Sequence, residues 1–398
     1  MAVAYRRLLA HRPFATGVGS VALSAVALGM IPLSLILSSG GSMAAGTFAV
    51  GAFGLANSAG VPIQGMLMAR VAARWVVSIS AGVSCAFMLA VAASPGSAAQ
   101  LVLLVEAGLT FPALAAALRA SIPRFFSEPA ERSGGYALLS VAFQAGLAVG
   151  PVAASLLATS MPRRLSFVVV AAVIAAAGSL LASSMGRSVP SPRFGPSLPL
   201  AAVATFGRIL AIGGLVSVAT GSLTVIVPTV AHAVGMQGLA GPLLAALALG
   251  EGVGALVFGA RPVPGSRRAQ LVSALVLTAG GYAVLALSAD ELVLVAGLVF
   301  VAGALSSPVA ILLSAALDDV VPQRMLAGAY GLVVVTAVGG AALGTGAAGV
   351  IAGSSVGVAG AAVMSATGVA VAATLAVPAS SADRSRSEPS AGGRDGSG

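Results

Sequence analysis

Residues 166–185 read SFVVVAAVIAAAGSLLASSM, and residues 186–199, which follow directly, read GRSVPSPRFGPSLP. The first stretch contains no charged residue, and its length matches what an α-helix needs to cross the ~30 Å hydrocarbon core of a bilayer. The second stretch is polar and contains four prolines, which favours an extended linker over a helix. Together they predict a transmembrane helix that ends at a linker.

Apolar stretches of similar length recur on both sides of this linker. Six precede it or end at it, and six follow it. Their predicted bounds are 14–37, 44–66, 73–93, 99–121, 134–158, 166–185, 201–231, 239–260, 269–288, 291–315, 325–349 and 355–377. The sequence therefore predicts an all-α integral membrane protein with twelve transmembrane helices, six in each of two halves at 1–185 and 201–378.

The overall composition excludes a soluble protein. Hydrophobic residues make up 58% of the 398 residues, charged residues only 8%, and the mean hydropathy is +1.04. A soluble domain carries about 25% charged residues, so this chain could not cover a surface that faces water. The sequence also lacks the phosphate-binding loop, the zinc-protease motif and the nucleophile elbow of common enzymes. We therefore expect neither an enzyme nor a bound metal or cofactor.

The arginines predict the orientation in the membrane. With the N-terminus in the cytoplasm, only Arg163 and Arg164 lie between helices on the far side. The arginines of the near side are Arg6, Arg7, Arg12, Arg70, Arg74, Arg119, Arg124, Arg132, Arg187, Arg193, Arg261, Arg267, Arg268 and Arg324. Cytoplasmic loops attract arginine because positive charge resists translocation. Both termini, the linker at 186–200 and a disordered tail at 379–398 are thus predicted on the cytoplasmic side of the cell inner (cytoplasmic) membrane.

The same arginines argue against nucleic-acid binding. The net charge of +9 is strongly basic, but the arginines separate apolar segments and do not cluster on a soluble domain. The chain is therefore predicted to be embedded in the lipid bilayer and not to bind nucleic acid. It is expected to be monomeric.

The two halves share a spacing pattern that indicates an internal repeat. In each half a tyrosine is followed by glycines at the tenth and fourteenth positions after it. The two sets are Tyr136, Gly146 and Gly150 in the first half, and Tyr330, Gly340 and Gly344 in the second. Both sets occur in the fifth helix of their half, which favours duplication over chance.

Two local motifs stand out. Residues 65–74, between the second and third predicted helices, read GMLMARVAAR. Residues 146–151, in the fifth helix, read GLAVGP. Glycines four residues apart allow two helix backbones to approach closely, and proline removes a backbone donor and bends a helix. We therefore predict that Gly146 and Gly150 lie against another helix and that Pro151 bends the fifth helix.

These features resemble the major facilitator superfamily over essentially the whole chain: six plus six helices, cytoplasmic termini and a central linker. In that family the loop between the second and third helices carries Gly-x-Leu-Ala-Asp-Arg-x-Gly-Arg. The matching positions here are Gly65, Leu67, Arg70 and Arg74. Ala69 stands where the family has an aspartate that takes part in an ionic latch between the halves, so the resemblance does not carry that latch over. The motif Gly146-x-x-x-Gly150-Pro151 is similar to that of drug and metabolite antiporters, which implies export.

Three ionisable residues lie at membrane depth and are candidates for coupling or substrate binding: Glu106, Arg208 and Glu251. Ionisable groups there cost several kcal/mol unless they are paired or face water. By depth, Glu251 and Arg208 lie within a few Å of each other, so we predict that Glu251 is the principal carboxylate and Arg208 its partner. A static ion pair between the two helices is the alternative.

Asn57 and Gln144 are uncharged polar candidates within the predicted helices. They could bind substrate, or they could form hydrogen bonds that hold helices together. Related transporters carry Tyr-Ala-Leu-Asp and then a glutamate early in the fifth helix. Here Leu139 stands at the aspartate position, and Gln144 is the polar residue that follows. The resemblance therefore implies that the coupling chemistry lies elsewhere in this chain or is absent.

The favoured function is secondary active transport, namely proton-coupled export of a small hydrophobic or amphipathic compound by alternating access. The implied partners are the small-molecule substrate and protons. Two alternatives stay open at this point. One is uptake or facilitated transport of a metabolite, and the other is a membrane scaffold or sensor that keeps the fold without transporting.

Overall fold

The computed structural model describes residues 7–39, 42–68, 70–94, 98–185, 200–260, 264–287, 292–322 and 326–376. Within them the chain forms helices that we number α1 to α12, with α4 in two parts. Their bounds are α1 Arg12–Ser38, α2 Met43–Met68, α3 Ala73–Ala93, α4a Ala98–Leu109, α4b Leu114–Phe125, α5 Pro129–Ser160, α6 Arg163–Ser184, α7 Leu200–Ala233, α8 Ala240–Ala260, α9 Arg267–Leu287, α10 Leu292–Val320, α11 Leu326–Ala352 and α12 Gly357–Ala376. A short 3₁₀ turn, Gln237–Leu239, precedes α8.

Twelve helical segments in these ranges are long and apolar enough to cross a membrane, which confirms the predicted all-α membrane fold. Most ends agree with the sequence prediction to within about three residues, because apolar length alone sets a spanning helix. There are three larger differences. α5 begins five residues before its predicted start. α4b and α10 end four and five residues after their predicted ends. The predicted tail at 379–398 lies outside the described residues, as does the predicted linker at 186–200 except for Leu200, which begins α7.

The fourth helix is interrupted, which the sequence analysis did not predict. Pro112 lies in the break between α4a and α4b, where it has no backbone N–H to donate. The buried side chain of Gln64 spans this break: its Nε2 donates to the Phe111 carbonyl at 2.8 Å, and its Oε1 accepts from the Ala113 N–H at 3.0 Å. Unpaired backbone groups are costly in lipid. Gln64 therefore stabilises the break and is a structural residue.

Gly146 and Gly150 lie against α1, as predicted from their spacing. A Cβ added at Gly150 would lie 2.6 Å from the Val26 carbonyl oxygen, and one added at Gly146 would overlap the Ala22 carbonyl. Contacts this short leave no space for any side chain but hydrogen. The first and fifth helices of the first half are thus packed backbone to backbone.

The second half repeats this contact between α7 and α11. A Cβ at Gly340 would lie 2.6 Å from the Gly214 carbonyl oxygen, and one at Gly344 would overlap the Val218 carbonyl. The tyrosine and glycine spacing of the sequence therefore corresponds to equivalent helix pairs, which confirms the internal repeat.

A second pair of equivalent contacts aligns α2 with α8. Gly108 of α4a packs on the Phe53 carbonyl, and Gly303 of α10 packs on the Leu247 carbonyl. The position four residues after each carbonyl is Asn57 in α2 and Glu251 in α8. The two candidate residues therefore occupy equivalent places in the two halves.

Candidate functional site

The halves α1–α6 and α7–α12 meet along two seams, α2 against α11 and α5 against α8. We call the side of the bundle where α1 begins and α12 ends the terminal face, and the other side the opposite face. Near the opposite face the α5–α8 seam is tight: a Cβ at Gly241 would lie 2.6 Å from the Ser155 Cβ, and the Ser155 hydroxyl donates to the Gly238 carbonyl at 2.7 Å. Small residues allow this close approach.

The α2–α11 seam is also closed near the opposite face. Thr47 packs against Gly349, and a Cβ at Gly54 would lie 2.6 Å from the Ala342 Cβ. Further along, the Ser58 hydroxyl donates to the Val335 carbonyl at 2.7 Å. The two halves are therefore in contact from the opposite face to about the middle of the bundle.

A cavity of about 820 Å³ lies between the halves. Its wall is formed by α5 of the first half and by α7, α8, α10 and α11 of the second. It extends to Leu317 and Tyr330, which lie within about one turn of the ends of α10 and α11 at the terminal face. The cavity thus reaches the terminal face, and the two seams separate it from the opposite face.

Most of the cavity wall is apolar, and among the described residues that line it Glu251 is the only one with a carboxylate or a basic group. The uncharged polar side chains of the wall are mainly hydroxyls. They belong to Ser140, Gln144, Ser217, Thr220, Ser306, Ser307, Ser314, Tyr330 and Thr336. An apolar cavity with a few polar groups is the usual form of a small-molecule site.

Glu251 lies on the wall of the cavity where the two halves meet. Its Oε2 accepts a hydrogen bond of 2.9 Å from Nε2 of Gln144, which belongs to α5 of the other half. A hydrogen bond to an ionised carboxylate is stronger than one between neutral groups. Two of the candidates named from the sequence are thus joined in one contact across the α5–α8 seam.

Other polar groups hold the α8 backbone and the wall around Glu251. The Ser307 hydroxyl donates to the backbone carbonyl of Glu251. Behind the wall, the fully buried Tyr282 of α9 forms a side-chain hydrogen bond with Thr220 of α7. These contacts fix α7, α8, α9 and α10 around the carboxylate, so the position of Glu251 is set by its surroundings.

The predicted pairing of Glu251 with Arg208 is wrong in this structure. Within the described residues the single ion pair joins Arg267 and Asp319, on the surface. Arg208 is exposed and is absent from the cavity wall. By residue count, Arg208 and Glu251 lie at similar depths along their helices. However, Ile209 faces the cavity, and neighbouring residues of a helix point about 100° apart. Arg208 is therefore turned away from Glu251.

The remaining candidates lie away from the cavity wall. Asn57 is buried at 4% exposure in α2, and Glu106 is half-buried in α4a. Both are absent from the residues that line the cavity. Of the candidates named from the sequence, Glu251 and Gln144 are brought together there, and Asn57, Glu106 and Arg208 are not.

The loop motif at 65–74 lies at the terminal-face end of α2 and the start of α3. A Cβ at Gly65 would meet nothing within 4 Å, and Leu67 and Arg70 are exposed. The Arg74 guanidinium lies 4.7 Å from the centre of the Trp75 ring, a cation–π contact. Ala69, which replaces the family's aspartate, lies outside the described residues. The role of this motif stays a prediction.

The sequence analysis missed most of the hydroxyl groups of the wall. A signal was available at Ser306 and Ser307, two adjacent serines in the middle of an apolar segment just before Pro308. Serine in the middle of a spanning helix needs a hydrogen-bond partner or a polar cavity. Helical periodicity alone could not say which of the many serines and threonines face the same space.

Solved structures of transporters share this fold. The nucleoside transporter NupG superposes with a TM-score of 0.69 at 15% identity, covering 92% of this chain and 97% of that one. A bacterial homologue of the human lysosomal transporter Spinster, inward-facing and unoccupied, gives 0.64 at 14% identity, covering 92% and 96%. A POT family transporter in complex with 5-aminolevulinic acid gives 0.73 at 10% identity, covering 92% and 94%. At such identities the likeness shows the fold alone.

A comparison of the sequence with curated proteins finds no significant match. The sequence model of the Major Facilitator Superfamily, however, matches residues 14–261, which is more than half of the chain. The match agrees with the all-α membrane fold of twelve candidate spanning helices among the described residues. The chain belongs to the Major Facilitator Superfamily.

Proposed function

We propose that this transporter exports a small hydrophobic or amphipathic compound in exchange for protons, by alternating access. The observation that carries the proposal is the place of Glu251. It is a single carboxylate on the wall of an apolar cavity, and it is hydrogen-bonded to Gln144 across the boundary between the halves. A group that binds a proton at this boundary contacts the cavity that would hold the substrate. It also contacts both halves, which move relative to each other in alternating access.

The physical basis of coupling is the cost of an unpaired charge in an apolar site. A protonated Glu251 is neutral and needs no counter-charge, whereas an ionised one needs hydrogen bonds or a cation. Substrate and proton can therefore exclude each other at this carboxylate. Exchange follows if the halves change conformation readily with either one bound and slowly with neither.

The nature of the wall supports the substrate class. The cavity is large enough for a drug-sized molecule, and aliphatic side chains such as Val216, Leu249, Ile311 and Val333 form much of its surface. Hydroxyl groups supply a few hydrogen bonds. Such a surface favours a compound with a large apolar part and little hydrogen-bonding demand.

The direction of export rests on the orientation that the arginines predict. If the terminal face is cytoplasmic, this conformation takes up substrate from the cytoplasm. Reporter fusions at Ser39, Pro95, His232 and Asp290 should then report the external side, and fusions at Arg193 and Arg267 the internal side. A consistent inversion of these results would contradict the orientation, and with it the direction.

The proposal is tested by reconstituting the full-length protein in proteoliposomes. A panel of hydrophobic, amphipathic and polar metabolite compounds would be assayed with and without an imposed pH gradient. We expect an amphipathic compound to be accumulated only with the gradient, and its movement to dissipate that gradient. Equal transport without a gradient would indicate facilitated transport. No transport of any compound by folded protein would favour the scaffold or sensor.

A further inference from the structure

We infer that the preferred substrates are lipophilic cations, and that the positive charge of the substrate is bound by Glu251. This inference rests on the proposed function and makes its substrate class more specific. The first observation is the imbalance of charge around the cavity. The part of the wall formed by described residues contains one carboxylate and no arginine or histidine.

The hydrogen bonds of Glu251 leave its ionised form without a counter-charge. Within the described residues, the contact of its side chain is with the amide of Gln144, which is neutral. An ionised carboxylate can accept about four hydrogen bonds, so one amide donor meets only part of its demand. A buried carboxylate without a cation costs several kcal/mol. A positive ligand would relieve this cost, and an anion would increase it.

The charged groups of the neighbouring helices do not supply the missing cation. Among the described residues of α5, α7, α8, α10 and α11 that line the cavity, Tyr330 of α11 is the titratable side chain besides Glu251, and Tyr282 of α9 lies behind the wall near Glu251. Both are neutral when protonated. Arg208, the arginine of α7, is exposed and is not part of the cavity wall.

The position of the carboxylate also suits a ligand with one charge and a large apolar body. Ala248 and Ala255, about one turn before and one turn after Glu251 on the same side of α8, line the cavity. Val141, about one turn before Gln144 on α5, lines it as well. A cation that places its charge near Glu251 can therefore cover apolar surface on the same helix. Both contributions favour binding, one through electrostatics and one through burial of apolar area.

The test compares two ions of nearly the same shape and opposite charge. Purified full-length protein in lipid nanodiscs would be titrated with tetraphenylphosphonium and with tetraphenylborate, with empty nanodiscs to subtract partition into lipid. We expect saturable binding of the cation and none of the anion. Cation binding should weaken in acidic buffer, because protons neutralise Glu251 and compete with the ligand. These measurements on the wild-type protein need no variant.

A substitution then tests whether the carboxylate of Glu251 binds the cation. Glu251→Gln should weaken tetraphenylphosphonium binding at least about tenfold. Glu131→Gln is the matched control, because it makes the same chemical change on an exposed residue of α5 outside the cavity wall, and it should leave binding unchanged. Equal binding of both ions, binding that Glu251→Gln leaves unchanged, or no saturable cation binding would overturn the inference. If one of these results is obtained but the protein still transports a neutral compound under a pH gradient, the inference is overturned and the proposed function stands.

Discussion

The two seams between the halves are built alike at the opposite face and differently in the middle of the bundle. Near the opposite face both are closed by small residues, Gly349 against Thr47 in the α2–α11 seam and Gly241 against Ser155 in the α5–α8 seam. In the middle, the α2–α11 seam ends in a neutral hydroxyl bond from Ser58 to a backbone carbonyl. In the α5–α8 seam the corresponding contact is the hydrogen bond from Gln144 to the carboxylate of Glu251.

The equivalence of the two halves makes this difference informative. Asn57 occupies in α2 the place that Glu251 occupies in α8. A duplicated framework thus carries an amide in one half and an acid in the other. Close packing needs the same small residues in both halves, whereas a titratable group is needed only once. We therefore propose that the α2–α11 seam has a structural role and that the α5–α8 seam carries the coupling.

The largest expected effect comes from breaking the framework that both halves share. Gly150→Leu should prevent stable folding, because even a Cβ at this position would lie 2.6 Å from the Val26 carbonyl oxygen and 2.7 Å from the Gly29 Cα. Overpacking of this kind costs about 3 kcal/mol or more. Gly344→Leu should also prevent stable folding, because a Cβ at this position would overlap the Val218 carbonyl of α7. Expression and size-exclusion profiles would measure both.

The matched control for this prediction is Gly280→Ala in α9, where a Cβ meets nothing within 4 Å. Alanine favours a helix over glycine by up to about 1 kcal/mol, so this variant should fold at least as well as the wild type. A Gly150→Leu protein that is as stable as Gly280→Ala would show that the α1–α5 contact is not needed.

A smaller effect is expected from a change confined to one seam. Gly241→Leu would place a side chain against the Pro151 carbonyl and the Ser155 Cβ, which belong to the other half. Each half should still fold, but the opposite face could not close as it does here. We expect transport to fall at least about tenfold. Transport at the wild-type rate by Gly241→Leu would mean that closure of this seam is dispensable.

The smallest effects compare the two hydrogen bonds that end the seams. Gln144→Leu removes a bond to a group that can be charged, and Ser58→Ala removes a neutral one. The first should destabilise the conformation described here by about 2 kcal/mol and the second by about 1 kcal/mol. Spin labels at Met161 and Met236, exposed on either side of the α5–α8 seam, would measure its opening.

The same pair of variants can contradict the comparison. The labelled background would carry Cys85→Ser, because Cys85 is the single cysteine of the chain. If Ser58→Ala opens the α5–α8 seam as much as Gln144→Leu does, the two bonds are not specific to their seams. The assignment of different roles would then be wrong.

Much of this fold could be predicted from the sequence, because a bilayer imposes a simple requirement. Long apolar stretches predict the twelve helices, and the spacing of Gly146 and Gly150 predicts a close helix contact that the structure contains. The break at Pro112 was missed because its stability comes from Gln64, a residue 48 positions earlier. Such compensation depends on the tertiary structure.

The site could be predicted only in part, for a related reason. Glu251 and Gln144 were each found as polar residues in apolar segments, but nothing in the sequence indicates that they meet across the halves. Arg208 was assigned to Glu251 from depth alone. Depth fixes the position along a helix and leaves the direction around it open, and the direction decided the outcome.

The central claim, that Glu251 couples protons to transport, is tested most directly by the exchange activity of Glu251→Gln. The variant keeps the shape of the side chain and removes its titration. In proteoliposomes we predict that substrate accumulation driven by a pH gradient is lost while the protein remains folded and still exchanges substrate for substrate without a gradient. Gradient-driven accumulation by Glu251→Gln at the wild-type rate, with unchanged dependence on pH, would contradict the account.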